Sequence, residues 1–189
     1  MELMSIFSAF GLSASAGLNA YIPLLMVALL GKFTNLIDLA APWDALTSWW
    51  IIGLLVVLCI IELFADSTPA INHINDIIQT VIRPTAGAIL FASSAKIVTE
   101  VHPILALGLG LFIAGGVHAV KSAVFRPAVT ATTGGTANVV VAIAEDAATT
   151  IVSFLSIVLP VVIACILVLV TSWIIWRLWR RANIEARST

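Results

Sequence analysis

The chain has 189 residues, of which 61% are hydrophobic and only 10% charged. A soluble domain carries roughly 45–50% apolar and about 25% charged residues, so this composition excludes one and points to an integral membrane protein. Nine Lys+Arg against ten Asp+Glu give a formal net charge of −1, too little basic field to draw in nucleic acid. The mean hydropathy is +1.12. A helical span of the roughly 30 Å hydrocarbon core takes about 20 apolar residues, so the chain has room for about five or six spans. The expectation is one all-α integral membrane domain over residues 1–189: a polytopic transmembrane helix bundle of about five spans, with short re-entrant or interfacial segments.

Glu2 stands where a secretory signal would carry Lys or Arg, so the first helix is expected to stay in the protein. Its apolar run, about Ile6 to Leu30, is interrupted by GLSASAGLNAYIP. Gly11, Ser13, Ser15, Gly17, Asn19 and Pro23 crowd a stretch that a lipid-facing helix would fill with Leu or Val, so this segment is expected to face protein. A polar loop from Lys32 to Ser48 follows. Trp49-Trp50 then begin a second span that runs to about Phe64, placed as an interfacial aromatic belt would be.

The segment ELFADSTPAINHINDIIQTVIRPTAGA places Asn72, Asp76, Gln79 and Arg83 at i, i+4, i+7 and i+11, a polar stripe on an apolar stretch. At about 14 residues it is too short to span and reads as interfacial or re-entrant. Pro84 is expected to end it, with a third span starting at Thr85. A Gly-rich fourth span, ILALGLGLFIAGGVHAVKSAVF, follows the link from Lys96 to Pro103. After Arg126-Pro127 comes AVTATTGGTANVVVAIAEDAATT, where Asn138, Glu145 and Thr149 share one helical face. The run from Ile151 to Trp176 can cross with tilt and is expected to kink at Pro160.

Arg177, Arg180, Arg181 and Arg187 beside Trp176 and Trp179 read as a cytoplasmic anchor by the positive-inside rule. With spans near 6–31, 48–65, 84–100, 103–122 and 148–176, the N-terminus is outside, and Asp66, Asp76, Arg83, Lys121, Arg126, Glu145 and Asp146 gather toward that side. A sixth span near 136–158 would reverse the N-terminus and stays open. Two units, each a polar segment with Arg-Pro (Arg83-Pro84, Arg126-Pro127) between spans, suggest a weak parallel repeat, and transporter sites commonly lie at repeat interfaces.

Ionisable residues inside a membrane cost roughly 2.5–3.5 kcal/mol each on insertion scales, so paired and functional is their default reading. Glu62 and Asp66 at i, i+4, and His118 and Lys121 at i, i+3, could present an acidic and a basic face to one another. Arg83, His118, Lys121 and Arg126 are the expected binding residues for an anionic solute or lipid head group, near the loop of Thr133, Gly134 and Gly135 and the helix start at Asn138. Asn19 is a further candidate. Glu62, Asp66, Asp76, Glu145 and Asp146 would balance charge or carry coupling protons. The bland alternatives are solvated acids at the interface, arginines capping helix ends, and a Thr/Gly loop that merely packs a turn.

No HExxH, GxSxG or nucleotide-cradling motif is present, and Cys59 and Cys165 lie apart in apolar runs, so no catalytic residue, cofactor or metal site is predicted. Three classes follow. A small transporter or channel, expected to be a homo-oligomer, leads. A non-transporting scaffold would use Gly108, Gly110, Gly115 and Gly116 to receive a partner helix. A lipid-modifying enzyme would need Glu62 or Asp66 to converge with His118.

GLSASAGLNAYIPL, ADSTPAIN with ND, QT and RPTAGA after it, GGVHAVKSAVFRP, TTGGTAN and Glu145-Asp146 occur in that order over most of residues 9–165. In these motifs the chain resembles the bacterial integral-membrane family called domain of unknown function 4126. The resemblance implies a small all-helical protein of the bacterial cytoplasmic membrane and carries no activity or residue role with it.

Overall fold

The computed structural model describes residues 2–39, 41–67, 69–94, 102–125, 128–129 and 138–188. Among the described residues there are seven α-helices and no strands: α1 (Glu2–Leu18), α2 (Tyr21–Phe33), α3 (Trp49–Ser67), α4 (Pro69–Ser94), α5 (Pro103–Val120), α6 (Asn138–Val158) and α7 (Pro160–Ser188). A short 3₁₀ helix, Trp43–Thr47, precedes α3, and a π-helical turn, Lys121–Phe125, extends α5. The all-α bundle is as composition requires. Three of these helices are long and apolar enough to cross a membrane, over Trp49–Asp66, Pro103–Phe125 and Val139–Val158.

Small side chains set the packing. Helix α1 carries Ala9, Ala14 and Ala16 with Ser13 and Ser15, all buried, and these let it run between α4, α5 and α6. The interrupted segment of the first apolar run does face protein, as its composition demands. The closest approach is between α4 and α5, where a Cβ on Gly110 would overlap the carbonyl of Gly87, and a Cβ on Gly87 would overlap the Ala114 side chain and the Gly110 carbonyl. Around this crossing Leu12, Leu24, Val27, Leu55, Leu90 and Ala114 form the apolar core. The outer faces are apolar as well, with Phe112 78% and Trp50 91% exposed, a surface suited to lipid and not to water.

Three boundaries differ from the expectation. The first apolar run is two helices, because α1 stops at Leu18 and α2 restarts at Tyr21. The polar segment before Pro84 is neither short nor separate, since α4 is one 26-residue helix with Pro84 inside it. Proline removes one backbone donor and crowds the preceding turn, a cost that a helix packed along α1, α3 and α5 can carry. The last expected span is likewise divided: α6 begins at Asn138 and ends at Val158, and α7 starts at Pro160. Proline at the first helical turn needs no N–H, so it starts a helix where mid-helix it would kink one. Glu145 and Asp146 thereby fall inside a candidate span, the arrangement left open as a sixth span near 136–158.

At the other end of the bundle Lys32 lies 4.5 Å from the Trp49 ring centre and donates to the Thr47 carbonyl at 2.7 Å. Arg177 and Arg180 stack on Trp173 and Trp176 one turn earlier in α7.

Candidate functional site

Arg83 is the largest fully buried side chain among the described residues, at 0% exposure in the middle of α4. It does not cap a helix end. Its Nη2 donates to Glu62 Oε1 of α3 at 2.9 Å, and Glu62 is itself only 2% exposed. A solvated interfacial role is therefore excluded for both. Nη1 lies 3.3 Å from His118 Nδ1 of α5. A guanidinium can only donate, so Nδ1 is the acceptor, and the imidazole in this arrangement is neutral with its proton on Nε2. Nε2 then donates to Thr80 Oγ1, 3.2 Å away and one turn before Arg83 on α4. Three helices are thus tied by one chain of polar contacts, Glu62–Arg83–His118–Thr80.

A second pair sits where α1 breaks. Lys121 at the start of the π turn donates from Nζ to the Leu18 carbonyl at 2.8 Å and lies 2.7 Å from Glu145 Oε2 of α6. Asn19, in the break itself, is 3% exposed and accepts from the backbone N–H groups of Tyr21 and Ile22 at 3.0 and 3.1 Å, capping α2. Its Nδ2 donates to Asp146 Oδ1 at 2.9 Å. The two ends of the broken helix are therefore held by Lys121 and Asn19, and each holder is in turn held by an acid of α6. Asp66, buried on α3, accepts from Asn75 Nδ2 at 2.9 Å.

These groups share one electrostatic field. Glu62 interacts with Arg83, Asp66 and Lys121, and Asp146 with Asp66, Lys121 and Arg83. Among the described residues four acidic side chains, Glu62, Asp66, Glu145 and Asp146, gather around two basic ones, Arg83 and Lys121. Glu62 Oε2, Gln79 Oε1 and Arg83 Nε are buried with no hydrogen-bond partner among the described residues. The Gln79 side chain also interacts with the Tyr21 hydroxyl, which closes the α2 side of the cluster. Among the described residues no three His, Cys, Asp or Glu side chains are arranged to hold a metal ion.

From this cluster a buried hydroxyl seam runs between α1 and α6. Ser15, Thr149, Ser153 and Ser156 are all at 0% exposure, and Ser153 Oγ lies 2.9 Å from Ser15 Oγ. Thr149, Ser153 and Ser156 also donate to the backbone carbonyl four residues earlier. Beyond the seam, at the N-terminal end of α1, Ser8, Asp38, Ser93, Ile157 and Pro160 line part of a cleft of about 280 Å³. That cleft does not coincide with the charges.

Of the residues singled out from sequence, the structure joins Asn19, Glu62, Asp66, Arg83, His118, Lys121, Glu145 and Asp146. The pairing differs in detail from the simple meeting of two faces, because Lys121 goes to Glu145 and Arg83 takes both Glu62 and His118. Arg126, Thr133, Gly134 and Gly135 lie outside the described residues, as do the side chains of Asp76 and Asn138. The glycine face proposed for a partner helix is split: Gly110 is used inside the bundle and a Cβ on Gly115 would reach Pro84, while a Cβ on Gly108 or Gly116 would meet no described residue within 4 Å. Thr80, Asn75, Ser153 and Ser156 are not among the residues singled out from sequence, whereas Ser15 belongs to the segment expected to face protein. Thr149, Ser153 and Ser156 recur at i, i+4 and i+7 on α6, a polar stripe legible in principle.

The family described as domain of unknown function, DUF4126, matches residues 6–181. The chain belongs to this family. No curated protein and no solved structure matches it. In this DUF4126 chain the matched region contains every residue of the cluster described above.

Proposed function

We propose that the chain is a small integral membrane transport protein, or channel, whose buried cluster handles a proton or a monovalent cation. The observation that carries the reading is the Glu62–Arg83–His118 chain at the bundle centre, joined in one field to a surplus of carboxylates. Charged groups at such depth are retained for a pathway more often than for stability. The anionic cargo expected from sequence loses support, because Arg83 and Lys121 are already held by Glu62 and Glu145. A cation or proton is the charge that the surplus of acidic over basic side chains among the described residues of the cluster favours.

The scaffold reading draws on the same pairing. It fits less well, because a network built only to knit helices gains most when every member is satisfied, and Glu62, Gln79 and Arg83 each keep an unpartnered buried atom. The setting proposed is a bacterial cytoplasmic membrane with the arginine-rich C-terminus inside, in a homo-oligomer whose contact uses the open Gly108–Phe112–Gly116 face of α5.

The test is flux in proteoliposomes. Proton or alkali-cation flux that is lost in Glu62→Gln, with the protein still folded and inserted, is the expected result. Flux that follows phosphate or chloride and ignores the cation would return the anionic reading. Tight vesicles with neither flux would reject transport in favour of the scaffold.

A further inference from the structure

The break between α1 and α2 exposes the negative end of one helix, and what meets it is a side-chain cation. The last carbonyls of an α-helix have no intrahelical partner and carry about half a negative elementary charge between them. At the end of α1, Asn19 N–H takes the Ser15 carbonyl at 3.1 Å, and the Leu18 carbonyl is left to Lys121 Nζ at 2.8 Å. Glu145 Oε2 lies 2.7 Å from the same nitrogen, and the Lys121 side chain is 4% exposed. Glu62 and Asp146 act on Lys121 from the sides of α3 and α6. In transporters with broken helices, the carbonyls at a half-helix C-terminal end coordinate a sodium ion or proton.

The structure assigns this place as a monovalent-cation site, formed by the Leu18 carbonyl and the Glu145 carboxylate and occupied here by the tethered ammonium of Lys121. The assignment rests on the transport reading for its purpose, though not for its detection. Lysine suits the task because it is a compact point charge on a flexible four-carbon stem, so it can leave as a free ion enters. In the exchange the ammonium keeps its proton and moves off Glu145 toward Glu62 and Asp146, the other acids whose charge acts on it, and one cation takes its place, so the cluster gains one positive charge. The backbone that carries it is a π turn, whose first residue is Lys121, and such turns are frequent at functional sites.

The experiment uses the whole protein in lipid nanodiscs, titrated with potassium or ammonium chloride against choline chloride at matched ionic strength. Lys121→Ala empties the site, so its melting temperature is expected to rise saturably, by several degrees, with potassium or ammonium and not with choline. Lys121→Met, which leaves an apolar stem in place, should show no such rise, and adding Glu145→Gln to Lys121→Ala should remove it. The wild-type protein supplies a second measurement that needs no variant. If a free cation displaces the ammonium, amine acetylation at Lys121 should be at least threefold faster in potassium than in choline. Equal melting of Lys121→Ala in all three salts, or equal acetylation rates, would overturn the assignment. A cation effect without flux keeps the site and removes the transport role; flux without any cation effect does the reverse.

Discussion

One turn of α4 separates two opposite solutions to holding helices together. At Gly87 the chain has no side chain at all, and the backbone of α5 comes so near that a Cβ would not fit. At Arg83 it has the largest fully buried side chain among the described residues, and the neighbouring helices are held at the reach of a guanidinium by Glu62 and His118. The glycine contact is apolar, short and indifferent to solvent. The arginine contact survives only because its partners come with it, since a buried charge without a counter-charge is strongly unfavourable. Dispersion fixes the crossing and electrostatics fixes what the crossing encloses.

The sharpest way to break the contrast is to remove one side of the ionic chain. Arg83→Met leaves Glu62 buried and unpaired, with an expected loss of about 3–5 kcal/mol in unfolding from mixed micelles. Changing both residues to Met should cost less than either change alone, because no bare charge remains. At the other solution, Gly110→Leu pushes α4 and α5 apart, with an expected loss of about 1–3 kcal/mol from overpacking. It should leave the Lys121–Glu145 pair formed, which a nitrogen chemical shift of a Lys121-labelled sample would report. Asn19→Ala removes the cap of α2 and the partner of Asp146 together, and about 0.5–2 kcal/mol is expected for the cap. The smallest effect belongs to the seam. Ser153→Ala deletes a hydroxyl whose loss strands no buried donor, and about 0.5–1.5 kcal/mol is expected from the same unfolding assay.

Much of the site was legible because charge in an apolar sequence is conspicuous. Glu62, Arg83, Lys121 and Glu145 stand out in apolar segments, and their mutual pairing was the natural inference. The partners were not legible. Nothing in the spacing says that Lys121 seeks a backbone carbonyl of α1, because a carbonyl has no letter in the sequence. Thr80 and Asn75 look like ordinary polar residues near a helix end until His118 and Asp66 are placed beside them. Pro84 misled for a related reason: local rules give it as a stop, and the packing of α4 against its neighbours overrides them.

Composition and apolar run length determined the class of this protein, an all-helical bundle with helices long enough for a membrane, since those properties are sums over residues and need no geometry. Which runs are single helices, where α1 breaks, and which acid meets which base were decided only by the tertiary structure. Those outcomes depend on distances between residues more than a hundred positions apart, 127 for Asn19 and Asp146, and a pairing across that separation is fixed by how closely small residues let the helices approach.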